Sequence, residues 1–270
     1  MEKKFTVCVD FGGTKILTAL IDNQMNIINR IKIPTSIANG KEGIVEDIAG
    51  TISSVIEIAG VNKNEVKAVS MGVPGTVNPF TGLIGNAPNL KVTNYNIKEA
   101  LEAKVNLPVF IENDVNLAAL GIKKFEFKDN VKNMLIVFVG TGIGSALIFE
   151  GKLYRGSSFY AGEIGHISVN KAGKIGVNKK KVTFETIASR TAIDNAIRKD
   201  IMANKKSVLS DIIAAGGLIK SKDLLRALKK KDKIVEKHIR KASGVIGRVL
   251  GSIVTLLNID TIVLGAGVIE

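Results

Sequence analysis

The sequence predicts an α/β protein of two lobes, and a repeated motif carries that expectation. In VCVDFGGTKILTALI at 7–21, an apolar strand ends in Asp10, a glycine turn follows at Gly12-Gly13-Thr14, and a second apolar strand begins. The pattern returns 127 residues further on, where FVGTGIGSALI at 138–148 answers FGGTKILTALI at 11–21. Phe11/Phe138, Gly13/Gly140, Thr14/Thr141, Ile16/Ile143, Ala19/Ala146, Leu20/Leu147 and Ile21/Ile148 are identical pairs. A third glycine turn, Leu264-Gly265-Ala266-Gly267, follows the apolar strand Thr261–Leu264. Two strand–turn–strand units this far apart predict two similar lobes. Facing hairpins with a third turn for a nucleotide predict a cleft between them.

The turns are where chemistry is expected. Glycine lets backbone approach a ligand closely, and successive N–H groups there can cradle a phosphate. Asp10, at a strand end beside such a turn, is placed to hold a divalent cation that bridges phosphates. A Gly-Gly hairpin is also common without any ligand. Val137 stands where the repeat would need a second Asp10, so a metal role falls to the first lobe alone.

In order, strands are expected at 5–10, 15–21 and 27–33 as a meander, with Asp22-Asn23 as the second turn. Ile44, Ile48, Ile52, Val55, Ile56 and Ala59 recur at helical spacing within 41–60, and Gly60 closes that helix. Val66–Met71 reads as a strand running into the tight turn Gly72-Val73-Pro74-Gly75. Residues 80–96, with several Gly, Asn and Pro, read as a ligand-contacting loop. A helix over 97–106, a strand Leu107–Ile111 and a helix Val115–Lys124 follow. Strands Lys132–Phe138 and Ser145–Phe149 flank the second glycine turn. Residues 151–169 read as a loop rich in glycine and hydroxyl groups. Helices are expected over 185–204, 208–219, 221–230 and 234–258. Gly244, Gly247 and Gly251 are expected on the close-packing side of the last. The lobe boundary is expected near 112–120, giving lobes 1–115 and 116–270.

Composition narrows the classes. The length of 270 residues and 46% apolar content suit a folded core. A net charge of +13 is compatible with nucleic acid, an anionic membrane or an anionic small substrate. The cations are mostly lysines spread along the chain, and aromatics make up only 5%, so solvated lysine faces are the expectation and nucleic acid is not. The run Lys220–Lys241 holds ten basic and three acidic residues at helical spacing and reads as one such face. A lone cysteine, Cys8, gives no disulfide framework and fits a cytoplasmic setting. The start MEKKF is no signal peptide, and Val245–Ile259 is too short and too interrupted by Arg248 to cross a membrane.

Two further motifs complete the pattern. Glu-Asn-Asp-x-Asn occupies 112–116 and Gly-Glu-Ile-Gly-His occupies 162–166. With the three glycine turns and Asp10, they resemble the ROK family (repressors, open reading frames and sugar kinases) from about residue 7 to residue 268, in the family's order. The resemblance implies a two-lobed actin-like (RNase H-like) ATPase fold with duplicated hairpin phosphate loops. DFGGTK at 10–15 resembles the first phosphate motif, giving Gly12, Gly13, Thr14 and Lys15 as ATP contacts. VGTGIGSA at 139–146 resembles the second, giving Gly140, Thr141, Gly142 and Gly144. VLGAGV at 263–268 resembles the adenosine motif, giving Gly265 and Gly267.

Phosphoryl transfer to a sugar hydroxyl needs an aligned alcohol, an acceptor for its proton and neutralised phosphate charge. Asp114 is the candidate base, at a helix start where the macrodipole would keep a carboxylate ionised. A plain helix cap is the other reading of Asn-Asp before an apolar helix. The family comparison also assigns its catalytic aspartate here. Asn89, Asn113, Glu163, His166 and Glu185, with Gly75, are the candidate sugar contacts. For His166 an ordinary buried, hydrogen-bonded histidine is the alternative. Glu185 in FETIAS matches the family's sugar-contacting glutamate.

Two departures from the family follow. Its structural zinc uses a histidine and three cysteines, yet residues 167–184 contain no cysteine, so no zinc is expected. Ile167, Val169, Ile175, Val177, Val182 and Phe184 are then the expected apolar anchors. Relatives continue beyond the third turn, so a missing C-terminal segment is expected. The resulting expectation is a cytoplasmic, homodimeric, ATP- and Mg²⁺-dependent hexose kinase acting on the 6-hydroxyl. N-acetylmannosamine (sialic acid catabolism) and glucose lead, with fructose and allose behind; N-acetylmannosamine is favoured because kinases of that branch, by resemblance, more often dispense with the cysteines. A sugar-responsive repressor needs a winged-helix domain, for which nine residues before Asp10 leave no room. An inactive sugar-binding relative is opposed by Asp10 and Asp114.

Overall fold

The computed structural model describes residues 2–169 and 182–266, and these form two compact units. The first runs to Ile122 and takes in Gly156–Tyr160; the second comprises Lys123–Arg155 and the chain from Ala161.

The first unit opens with β1 (Phe5–Phe11), β2 (Lys15–Ile21) and β3 (Ile27–Pro34), an antiparallel meander. Alternation in β1 buries Val7, Val9 and Phe11. Helix α1 (Gly40–Ile58) buries Ile44, Ile48, Ile52, Val55 and Ile56, the stripe its spacing predicts. A buried hydroxyl pair, Thr18 Oγ1 to Thr51 Oγ1 at 2.7 Å, ties β2 to α1, and the Thr51 hydroxyl also contacts the Ile48 carbonyl. The chain returns parallel to β1 as β4 (Val66–Val73). After a second crossover through α2 (Ile97–Val105), β8 (Val109–Asn113) adds parallel to β4, giving the order β3-β2-β1-β4-β8. Helix α3 (Asp114–Phe125) follows at once.

Between β4 and α2 the expectation of a loop is overturned. β5 (Thr76–Asn78), β6 (Leu83–Ala87) and β7 (Val92–Asn96) form a three-stranded antiparallel sheet. Ile84, Ala87 and Val92 are buried on it, while the expected breakers occupy its turns: Gly82 at φ +81°, Pro88 at the head of a 3-10 turn, and Lys91 at φ 54°. Pairing and one-sided burial here override the low strand preference of Asn and Gly.

The second unit holds β9 (Met134–Val139), β10 (Ile143–Phe149), β11 (Lys152–Tyr154) and β12 (Thr261–Gly265) in the order β11-β10-β9-β12, with β12 parallel to β9. Its helices are α4 (Phe184–Ala188), α5 (Arg190–Met202), α6 (Ser210–Ala214), α7 (Ser221–Lys229) and α8 (Lys233–Leu257). The helix expected over 185–204 is broken at Ser189, which is extended (ψ 160°) and whose hydroxyl caps α5 by accepting from Ala192 N at 3.2 Å. The helix expected over 208–219 is only α6, because Gly216 turns left-handed at φ +68°. Residues 151–169 include β11 and a 3-10 turn at Ile164–His166.

The division into compact units falls within α3, after Ile122. The continuous helix α3 carries the chain past it, and Phe159 and Tyr160 return to the first unit, where the Phe80 and Phe159 ring centroids are 5.7 Å apart. The ten cations of Lys220–Lys241 are all exposed, whereas Asp223 and Asp232 are buried. Asp232 caps α8 by accepting from Ile234 N and Val235 N, and it also accepts from Ser207 and Val208 N. Among the described residues no helix is long and apolar enough to cross a membrane.

The glycines of α8 correct the sequence reading. The buried stripe is Ala242, Val245, Ile246, Val249, Leu250 and Ile253, and Gly247 and Gly251 fall outside it, both exposed. A Cβ at either would meet nothing within 4 Å among the described residues. Their backbone freedom is therefore uncompensated by packing. Gly247→Ala and Gly251→Ala should each stabilise the protein by ~0.5–1 kcal/mol. Urea denaturation checks this, and a loss of stability in either variant would show that something rests on that face.

Candidate active site

In the first unit the candidate groups gather at the carboxyl ends of β1, β4 and β8. Parallel register sets Asp10 against Gly72, and Gly72 against Glu112. Asp10 is exposed at the strand end. The adjoining turn is closed by Gly12 N donating to Lys15 O at 2.9 Å. Thr35 holds it from β3's end, its hydroxyl donating to Gly12 O at 2.7 Å and its N–H to Thr14 O at 3.1 Å. Gly13, Thr14 and Lys15 are exposed. A Cβ on Gly13 would lie 3.4 Å from Asn89 Cβ, so Asn89 stands beside this turn.

Gly75 admits no other residue. Its φ is +90°, and a Cβ would fall 2.3 Å from Asn86 O. Its carbonyl accepts from Asn113 Nδ2 at 3.0 Å, and Asn113 Oδ1 accepts from Asn116 N at 3.1 Å. Asn113 is thus the residue whose side chain caps the first turn of α3, which disposes of a plain capping role for Asp114. Glu112, only 6% exposed, accepts from Asn113 N and from Asn116 Nδ2 at 2.9 and 3.0 Å.

Asp114 opens α3, with Oδ1 accepting from Val115 N at 2.9 Å. Asp114 is half-buried at the start of the helix. Desolvation pushes its carboxyl above the ordinary aspartate range; the Val115 N–H draws it back in part, and the negative charge of Asp10 adds to the rise.

In the second unit the turn Gly140–Gly142 links β9 to β10, and Gly144 lies in β10 opposite Phe138. Gly140 N donates to Gly142 O at 2.9 Å. At the end of the neighbouring parallel strand, Gly265 abuts the Phe138 ring, 3.1 Å from where its Cβ would be. Ala266 follows in the left-handed region at φ 71° and lies near Gly140. The two turns expected to meet a nucleotide are therefore side by side. Gly267 lies outside the described residues, as do the anchors Ile175 and Val177.

Glu163, His166 and Glu185 share this unit. The Glu163 and His166 side chains are 42% and 74% exposed, with Oε2 and Nε2 3.7 Å apart. His166 is thus no buried structural histidine. The remaining described anchors differ among themselves, Phe184 being fully buried, Val169 and Val182 half-buried and Ile167 exposed. Glu185 is half-buried and engaged with the glycine turn, Oε2 accepting from Ile143 N at 2.7 Å. Gly162 and Gly165 allow the chain to pass close to β10: a Cβ would lie 2.7 Å from Ser145 O in one and 2.6 Å from Ile143 O in the other. The Ser145 hydroxyl donates to Gly162 O. Thr35, Gly165 and Thr191, whose hydroxyl donates to Thr141 O at 2.8 Å, escaped the sequence reading. Only Gly165, inside a motif already noted, carried a signal.

Among the described residues no three His, Cys, Asp or Glu side chains come together as a metal cluster.

Duplicated glycine hairpins on two α/β units define a protein of the actin-like ATPase fold. The chain belongs to the ROK family, whose model matches residues 6–270. It is similar to a glucokinase of Halalkalibacterium halodurans, at 31% identity over 269 residues, 99% of this chain and 82% of that one. An N-acetylmannosamine kinase of Vibrio cholerae is 29% identical over 275 residues, 97% of this chain and 84% of its own. Among solved structures, a ROK family glucokinase from Streptomyces griseus in complex with glucose and AMPPNP matches with a TM-score of 0.78 at 28% identity, over 97% of this chain and 82% of that one.

The raised Asp114 has a consequence for stability. Its folded pKa exceeds its unfolded one, so ionisation opposes folding, increasingly as pH rises through that window and fully above it. Asparagine removes the charge and keeps the acceptor for Val115 N. Asp114→Asn should therefore be at least as stable as the parent at pH 7.5, with the difference shrinking toward pH 4. Urea midpoints at the two pH values test this, and a less stable variant at pH 7.5 would contradict it.

Proposed function

We propose that this sugar kinase transfers the γ-phosphoryl group of ATP to the 6-hydroxyl of a hexose, with Asp114 as the base. The observation that carries the reading is Asp114 itself: a half-buried carboxylate at the carboxyl end of β8, relieved of capping by Asn113. A general base works best when its pKa lies near the operating pH, and desolvation moves Asp114 in that direction. The 6-hydroxyl would give its proton to Asp114 as its oxygen attacks phosphorus and ADP leaves. Asn89, Asn113, Glu163 and His166 are the proposed partners of the sugar hydroxyls. The amides of both glycine turns are the proposed phosphate contacts.

Mg²⁺ fits the residues present. Asp10 is an exposed carboxylate beside the glycine turn, close enough to Asp114 for its charge to be felt there. One carboxylate with waters and phosphate oxygens is a donor set that Mg²⁺ accepts. It would neutralise charge on the transferring phosphate.

N-acetylmannosamine is the favoured substrate in this reading and glucose the alternative; the named relatives include kinases of both kinds. ATP turnover over a hexose panel should be strongest with N-acetylmannosamine, and a clear preference for glucose or fructose would replace it. Asp114→Asn should still bind sugar yet lose at least ~10²-fold in turnover, the usual scale for a lost general base. Near-normal turnover in the folded variant would remove Asp114 from the role.

The reading includes no zinc and no nucleic-acid partner. The chain's single thiol, Cys8, lies in β1 of the first unit, whereas His166 belongs to the second. Activity should survive a zinc-selective chelator in excess Mg²⁺, and stoichiometric zinc by elemental analysis would contradict the reading.

A further inference from the structure

The start of α4 and α5 holds the second glycine turn and the residue after it by three hydrogen bonds. Glu185 Oε2 accepts from Ile143 N at 2.7 Å, the Thr191 hydroxyl donates to Thr141 O at 2.8 Å, and Arg190 N donates to Gly140 O at 2.8 Å. Glu185 lies flat on the turn, since a Cβ on Gly142 would fall 2.6 Å from Oε2. Its carboxylate also faces Gly165, 3.5 Å from where a Cβ would be, inside the segment that carries Glu163 and His166. Among the described residues, Oε1 has no hydrogen-bond partner while Oε2 is committed to the turn. One side chain therefore has one oxygen on the phosphate turn and one left for a ligand.

We infer that Glu185 is a positioning residue for the ATP-binding turn, setting the amides of 140–143, as well as a contact for the sugar. The inference rests on the kinase reading above and adds a role in nucleotide binding that a sugar contact alone would not have. The physical reason is geometric. A three-residue turn of glycines and threonine has no packing of its own to choose a conformation, so its amides point where external hydrogen bonds hold them. A charge-assisted bond from a carboxylate to an N–H is among the stronger ones available for this purpose.

The test is binding of Mg·AMPPNP without sugar, by calorimetry, to the full chain and to Glu185→Ala, Glu185→Gln and Thr191→Val. Alanine removes the acceptor for Ile143 N and should weaken nucleotide binding about tenfold, the scale of one hydrogen bond to a charged group. Glutamine keeps a carbonyl acceptor, so it should restore nucleotide affinity while KM for the sugar stays raised. Thr191→Val releases only Thr141 O and should weaken nucleotide binding with sugar KM unchanged, which keeps the inference open to test should the alanine variant fail to fold. Unchanged AMPPNP affinity in Thr191→Val and in a folded Glu185→Ala would overturn the positioning role and leave Glu185 a sugar contact. Absence of AMPPNP binding by the parent chain would instead remove the kinase reading, and this inference with it.

Discussion

The chemistry of the first unit depends on one constraint, the parallel register of β1, β4 and β8. That register puts Asp10, Gly72 and Glu112 in a single row. A slip of one residue in either pairing would turn alternate side chains to the other face. Burial of Val7, Val9 and Phe11 in β1 and of Met71 and Val73 in β4 makes such a slip costly. The buried Thr18–Thr51 hydroxyl pair fixes α1 over the same sheet. Glu112 then transmits the register to α3 through Asn113 and Asn116, so Asp114 is placed by the sheet more than by its helix.

The two glycine hairpins share a sequence and differ in construction. In the first, the last pair is Phe11–Ile16, with Gly12 to Lys15 between; in the second it is Val139–Ile143, with Gly140 to Gly142 between. Ile16 and Ile143 correspond in the repeat, yet their partners do not, so the second turn is one residue tighter. Their supports differ as well. Thr35 holds the first from the strand next door, whereas residues of two helices hold the second. A repeat in sequence here preserves the ability to turn and leaves the direction of each amide to its surroundings.

The strands and long helices were legible because period and burial agree in them: β1 to β3, α1, α3 and α8 lie within a few residues of their expected bounds. The small β5-β6-β7 sheet was not, because its Asn and Gly residues read as loop until pairing buries Ile84 and Val92 beneath them. Gly244, Gly247 and Gly251 misled for the opposite reason, since a small-residue spacing says nothing about which face of a helix is covered. Motifs singled out Asp114, Asn113, Glu163 and His166, but not what each side chain touches. The packed chain alone reveals that Asn113 takes the cap, that desolvation raises the Asp114 carboxyl, and that Glu185 is turned onto a backbone amide. Thr35 and Thr191 carry no signal at all, because a single hydroxyl meeting a distant carbonyl has no period.

The return of Gly156–Tyr160 to the first unit bears on how the protein is made. Phe159 packs against Phe80, and the Tyr160 hydroxyl lies 3.3 Å from Thr76 Oγ1. A nascent chain released only as far as residue 122 therefore lacks part of that unit. Its completion waits until β9, β10 and β11 of the second unit have left the ribosome. Until then Phe80 lacks the ring it packs against and Thr76 lacks the Tyr160 hydroxyl. The order of translation and the order of folding are thereby offset by three strands.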